Sequence, residues 1–364
     1  MHRQSTDIDD GALKFFKRIV IAMYTVMSFF LTTGCNRDHL PAQSTGWHDY
    51  EQTNLVADTS GFNAARLDAN LGNPLGIAFS PKGTIWISCN HTGQSVIYDT
   101  NGNQVFAPVA MPLHGVHNGA SPNGILFNTT SEFVANGQPA RCICSTEDGV
   151  IAAWSTGDTT FVVADRSAAK ALYKGIAMAT DGASSFIYAA DFFNGRIDVF
   201  DNHFNYITNR PFFDPGIPEG FAPFNICNIG GKLFVSYAKR KAPDNTDDQA
   251  GIGNGFINIF NPDGTFVRRF ATQGVLNSPW GMVQAQSGFG QGANAILVAN
   301  YGDGRINIFD TTGAYQGPLE NDGVPVVIDG LWDVAFSPTN NSQLYFTAGP
   351  HDETYGLFGY LKLK

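Results

Sequence analysis

The sequence predicts an all-β fold: a six-bladed β-propeller of four-stranded antiparallel blades. Two observations carry this. A phrase of Gly, strand, turn, strand, Gly turn, strand recurs six times along 364 residues, at a period near fifty. The composition suits short strands and tight turns, with 40 Gly and 29 Phe but only 15% charged residues. A parallel β-helix would need much shorter repeats, and a sandwich would not repeat six times.

The repeat shows best in NGRIDVFD (194–201) and DGRINIFD (303–310). Ahead of the first stand YKGIAMATDG and SSFIYAADFF. Aligning all copies makes Gly76, Gly124, Gly175, Asn225, Gly281 and Asp333 equivalent, 48, 51, 50, 56 and 52 residues apart. GIAF-type segments are expected to line the channel. IWIS, IYAA, LFVS, ILVA and LYFT are second strands, VIYD, IAAW, IDVF, INIF and LFGY third strands, and QVFAP and FVRRF outer strands. The last copy stops after its third strand. QTNLVA, residues 52–57, precedes the first blade and is expected to complete the last one, closing the ring and covering a sheet edge.

Within the repeated string, Gly195 and Gly304 are expected at positive φ. Asp201 and Asp310 should start Asx turns, and Arg196 and Arg305 should pair with a nearby acid. The string reads as scaffold.

The N-terminus reads as a targeting segment. Lys14, Lys17 and Arg18 precede the apolar run Ile19–Leu31, which is short for a membrane span and suits a signal core. LTTGC then ends at Cys35, resembling a bacterial lipoprotein cleavage box, although Thr32 stands where Leu is usual. The expected organisation is a signal peptide over 1–34, a linker over 35–50 after a lipidated Cys35, and one propeller domain over 51–362. An ordinary secretory signal or an uncleaved anchor is the alternative. The chain is then exported, periplasmic or at the cell surface, and its only membrane attachment is the lipid.

A formal charge of −10, with no Lys/Arg cluster beyond the first twenty residues longer than Lys239–Lys241, argues against nucleic-acid binding. Cys142 and Cys144 fall on one face of one strand, a poor disulfide pair, and read as small buried apolar groups. A Cys89–Cys227 bridge has no support in the sequence.

YAADFFNGRIDVFD and LVANYGDGRINIFD resemble NHL-type repeats of six-bladed propellers. NPLGIAFSP, STEDGVIAAW, GFAPFNICNIGGKLFVSYAK, DGLWDVAFS and YFTAGPHDE together resemble an uncharacterised family of exported bacterial propeller proteins. That resemblance implies fold and export, and it brings no catalytic residues.

Chemistry is sought where the repeat breaks. KRKAPDNTDDQAGIG (239–253) offers Asp244, Asp247 and Asp248, an oxygen-rich set suited to Ca2+ but without EF-hand spacing. PLHGVHNGASPNG offers His114 and His117, and AGPHDETYG offers His351, Asp352 and Glu353. By analogy with six-bladed lactonases and esterases, which hold a divalent cation with acids and Asn, the channel-mouth set also includes Glu147, Asp148, Asp191, Asn225, Asn300, Asp303 and Asp333. Asx residues are expected in any propeller turn, so these discriminate weakly. No Ser-nucleophile motif, phosphate loop or HExxH is present. The expectation is a binding or interaction module at the cell envelope, a monomer, with a small ligand or an envelope protein as partner. A metal-dependent hydrolase of lactonase or esterase type, with Ca2+ in the mouth, is the alternative.

Overall fold

The computed structural model describes residues 47–113, 115–290 and 294–364. The segment expected to be a signal peptide, Cys35 and His114 lie outside them.

Strand β1 (Tyr50–Ala57) and the short β2 (Arg66–Leu67) precede blade 1, formed by β3 (Pro74–Phe79), β4 (Ile85–Cys89), β5 (Gln94–Tyr98) and β6 (Gln104–Ala110). Blade 2 comprises β7 (Pro122–Phe127), a small inserted hairpin of β8 (Val134–Ala135) and β9 (Gln138–Pro139), then β10 (Cys142–Thr146), β11 (Val150–Trp154) and β12 (Phe161–Asp165). Blade 3 holds β13 (Tyr173–Asp181), β14 (Ser184–Asp191), β15 (Arg196–Phe200) and β16 (Tyr206–Ile207). Blade 4 holds β17 (Phe221–Ile229), β18 (Lys232–Lys239), β19 (Gly255–Phe260) and β20 (Phe266–Thr272). Blade 5 holds β21 (Pro279–Gln284), β22 (Ile296–Asn300), β23 (Ile306–Phe309) and β24 (Tyr315–Pro318), followed by a hairpin of β25 (Glu320–Asn321) and β26 (Val324–Pro325). Blade 6 is β27 (Leu331–Ser337), β28 (Asn340–Ala348) and β29 (Leu357–Leu363), and β1 is its fourth strand.

The fold is the predicted six-bladed propeller, closed as expected by the N-terminal strand. β1 runs antiparallel to β29, from Tyr50 opposite Leu363 to Ala57 opposite Leu357. Packing starts earlier than residue 51, because Trp47 and Tyr50 are buried between blades 5 and 6. Among the described residues no helix is long and apolar enough to cross a membrane.

Period-two alternation builds the core. On β14, Ile187 and Ala189 face blade 2, while Tyr188 and Ala190 face blade 4. On β28, Leu344 and Phe346 face blade 5, while Tyr345 faces blade 1. Each pair of neighbouring blades shares one such apolar seam. A seventh apolar group closes the channel near its entrance. It contains Leu75, Phe192, Phe224, Trp280 and Trp332.

The six aligned positions form a ring around the channel. Every inner strand slips register against its neighbour there, for example between Pro74 and Ile77, Tyr173 and Ile176, and Leu331 and Val334. The slip brings adjacent inner strands very close. A Cβ on Gly175 would sit 1.8 Å from Asn225 Oδ1. Only a residue without a side chain fits such an approach.

The repeated string is scaffold in both copies. Gly195 and Gly304 both sit at φ 68. Asp201 accepts from the backbone of His203 and Asn205, and Asp310 from that of Thr312 and Ala314. The arginines differ. Arg196 pairs at 2.7 Å with Asp198, a fully buried carboxylate that Tyr173 also contacts. In the second copy Asn307 replaces Asp198, and no described acid lies within ion-pair distance of Arg305. The cysteines Cys89, Cys142, Cys144 and Cys227 are free thiols, and burial pushes Cys144 up to about 12.

Candidate functional site at the channel mouth

Inner strands start at the mouth and run away from it. The residue just before each ring position therefore points toward the entrance. These residues are Leu75, Asn123, Lys174, Phe224, Trp280 and Trp332. Four are apolar and form the plug. The other two, Asn123 and Lys174, begin a polar network that draws on all six blades.

Lys174, only 5% exposed, holds Glu147 at 2.5 Å and approaches Asp247 at 3.9 Å. Asn123 Nδ2 donates to the same Glu147 oxygen. Asp247 Oδ1 accepts from the backbone of Asp248, whose side chain turns inward and is 7% exposed. On the far side, Glu353 Oε1 accepts from Tyr301 and Oε2 from Asn73 at 2.7 Å. Trp332 Nε1 donates to Asn73 Oδ1 and stacks on Tyr301, with ring centroids 4.0 Å apart.

The electrostatics join these halves. Burial works against the Lys174 charge, but Glu147, Asp247 and Glu353 more than reverse it and hold the ammonium above the usual lysine range. Asp248 is pushed up to about 6, chiefly by burial, with Asp247 and Glu353 adding repulsion. The Ser278 hydroxyl works against that rise, although the buried Asp248 Oδ2 and Ser278 Oγ make no well-aligned hydrogen bond among the described residues. Burial, then Glu353, raises the Tyr301 phenol.

Glu353 reaches the mouth through an unusual turn. His351, Asp352 and Glu353 have φ of 56, 51 and 65 in succession. Side chains disfavour that region by roughly 1–2 kcal/mol per residue. The turn is held by Glu353 N donating to Gly349 O and by His351 N donating to Asp329.

Of the predicted mouth residues, Glu147 and Glu353 are in the network. Asp247 and Asp248, expected with Asp244 as a metal-binding set, also belong to the network, while Asp244 is exposed. Among the described residues no three His, Cys, Asp or Glu side chains are grouped to hold a metal ion. Asp148 accepts from the backbone of Ser121, and Asp303 from that of Arg305. Asp191 is fully buried and accepts from Leu172 and Asn194, and burial raises its pKa. Asn300 bonds Val275. His117, His351 and Asp352 are exposed.

Asn225 and Asp333 lie in the ring, one residue deeper than the plug, and clasp neighbouring blades. Asn225 Nδ2 donates to Trp280 O, and Asp333 accepts from Ile77 and Val334 backbone. Asp333 lines a cavity of about 300 Å³ with Ile125, Met178, Asn225 and Asn228. Burial there pushes its carboxyl up to about 7.

The sequence reading missed Asn73, Asn123, Lys174, Tyr301 and Trp332. A signal existed for Lys174: in the aligned repeats it replaces Leu, Phe or Trp on an otherwise apolar inner strand.

The buried Asp248 makes one prediction. Its folded-state pKa of about 6 lies above the unfolded value of 3.8. The favourable contribution is therefore full below about pH 4 and lost as pH rises toward 6. Asp248→Asn should raise stability at pH 7 by up to about 3 kcal/mol and flatten that part of the pH profile. Urea unfolding at pH 4 and pH 7 reads it. An equal effect at both pH values would contradict the assignment.

No family model matches the sequence. The uncharacterized protein L690 of Acanthamoeba polyphaga mimivirus is 36% identical over 327 residues, 85% of each chain. The uncharacterized protein R648 of the same virus is 36% identical over 310 residues, 81% of this chain and 76% of its own. The expected bacterial kinship is thus corrected, since these relatives are viral. Among solved structures, virginiamycin B lyase from Staphylococcus aureus superposes with a TM-score of 0.52 at 12% identity, covering 86% of this chain and 99% of its own. The calcium-binding protein regucalcin from Agrobacterium tumefaciens gives 0.50 at 14% identity, covering 80% and 91%. At such identities the likeness concerns the fold alone. The chain belongs to the family of the uncharacterized mimivirus proteins L690 and R648.

Proposed function

We propose that this propeller is a binding module whose channel mouth takes a cationic group. One observation carries the reading. Asp248 buries a carboxylate oxygen that makes no well-aligned hydrogen bond among the described residues, with the charges of Asp247 and Glu353 acting on it, and Lys174 acts on Asp248 as well as on Glu147, Asp247 and Glu353. An added positive charge would relieve both the repulsion and the unmet hydrogen bond. The stacked Tyr301 and Trp332 floor suits an ammonium as well as a metal ion.

Calorimetry and thermal melts with Ca2+ and, separately, with spermidine test it. Either ligand, at a hundredfold excess over its Kd, should stabilise the wild type by about 2.7 kcal/mol. Glu353→Gln should abolish most of that gain. If neither cation binds or shifts the melt, the proposal fails.

The second reading is a hydrolase of lactonase or esterase type using Ca2+ at the mouth. The fold likeness to a calcium-binding protein supports it. Ca2+-dependent lactone or ester turnover that disappears in Glu353→Gln would favour this reading over simple binding.

A further inference from the structure

A second cavity lies away from the mouth. It has a volume of about 1050 Å³ and lies between blades 1 and 2. β7 starts at the mouth, and the cavity is lined by its far end, so the site opens toward the opposite face. Its wall exists because blade 2 departs from the repeat. Blades 3 and 4 turn from first to second strand in two residues, whereas blade 2 inserts residues 128–141.

The insertion is internally braced. Asn128 Oδ1 accepts from Thr130 twice, and Asn128 Nδ2 donates to Glu132 O and Ala140 O. Ser155 Oγ ties β11's end to Ala135. The cavity wall is therefore preformed, which lowers the cost of binding.

Its lining has a definite chemistry. Trp154 is partly exposed and rests on buried Trp86, with ring centroids 4.7 Å apart, and its Nε1 is anchored to Gly157 O. Phe106, 61% exposed, stands on the facing blade. Thr129, Ser131, Gln138 and Thr156 also line the cavity, and their side chains bond no described residue. Lys82 and Arg141 are its only charged residues; both are exposed, and neither has a described acid partner. In a chain with a formal charge of −10, a cavity carrying two cations and no carboxylate selects for an anion.

We propose that this cavity binds an acidic saccharide. Sugar ring faces would stack on Trp154 and Phe106, neutral hydroxyl and amide groups would meet the sugar hydroxyls, and Arg141 and Lys82 would hold the carboxylate or sulfate. The purely apolar alternative ligand would leave both cations and the polar groups unmet. The site is independent of the mouth and survives if the mouth reading fails.

The test is quenching of tryptophan fluorescence in the full chain by a heparin disaccharide, with lactose and inorganic sulfate as controls. The disaccharide should quench and saturate, with affinity falling as salt rises. Arg141→Gln should weaken binding about tenfold or more at unchanged Tm. Phe106→Ala should weaken it without altering the salt dependence. Absence of saturable quenching, equal binding of lactose, displacement by sulfate alone, or full affinity in Arg141→Gln would each overturn the proposal.

Discussion

Deleting residues 50–57 should leave a protein with no cooperative folding transition at room temperature. β1 is the fourth strand of blade 6 and bonds β29 along its length. It also supplies Tyr50 to the seam between blades 5 and 6, and Leu55 and Val56 to the seam between blades 6 and 1. Burying each large side chain contributes about 1.5–3 kcal/mol. Together with the lost backbone ladder, the sum rivals the 5–15 kcal/mol that holds a typical domain folded. The deletion also bares β29 as a new edge, inviting aggregation. A milder variant keeps the claim measurable. Tyr50 is fully buried, lies 4.7 Å from Phe289 between ring centroids, and donates to Phe289 O. Tyr50→Ala should cost about 3–5 kcal/mol, lowering Tm by roughly 10 °C. Scanning calorimetry reads both, and unchanged melting in either variant would refute closure by this strand.

Closure was legible in the sequence for a physical reason. A strand-like phrase with no blade of its own and a last blade one strand short demand each other, because an open edge is costly. The alternation along IYAA or LYFT was equally legible, since each residue must face one neighbouring blade or the other. The mouth was less so. Asn73 and Glu353 bond across 280 residues, and nothing local in either phrase announces the other. His351–Glu353 adopts positive φ three times with no Gly or Asn to mark it, so AGPHDETYG reads as an ordinary turn. Asp247 and Asp248 were noticed for their charge, but one carboxylate faces Lys174 and its neighbour is buried. Only the folded loop separates those fates. The blade 2 insertion, residues 128–141, was not read from the sequence, where it is only a length difference, and length does not say that it walls a cavity.

Lys174→Met should destabilise the protein at pH 7 by about 3–5 kcal/mol, because it leaves acids facing one another without their shared cation. The partial exposure of Glu147, 29% at its side chain, places the expectation toward the lower figure. In the wild type the ion pair also sets a pH dependence on the alkaline side. The lysine's raised pKa contributes stability that is complete below the unfolded value and fades as pH climbs through the folded one. Adding Glu147→Gln to Lys174→Met should recover a substantial part of the loss, since a neutral pair removes the uncompensated charge that either single change creates. Urea unfolding of the wild type, both single variants and the double variant at pH 5 and 7.5 measures this coupling. Simple additivity of the two changes would mean that the pair is a surface contact. Recovery would mean that the mouth is built around one buried cation, and its neutralisation would then be a direct probe of the proposed cation binding.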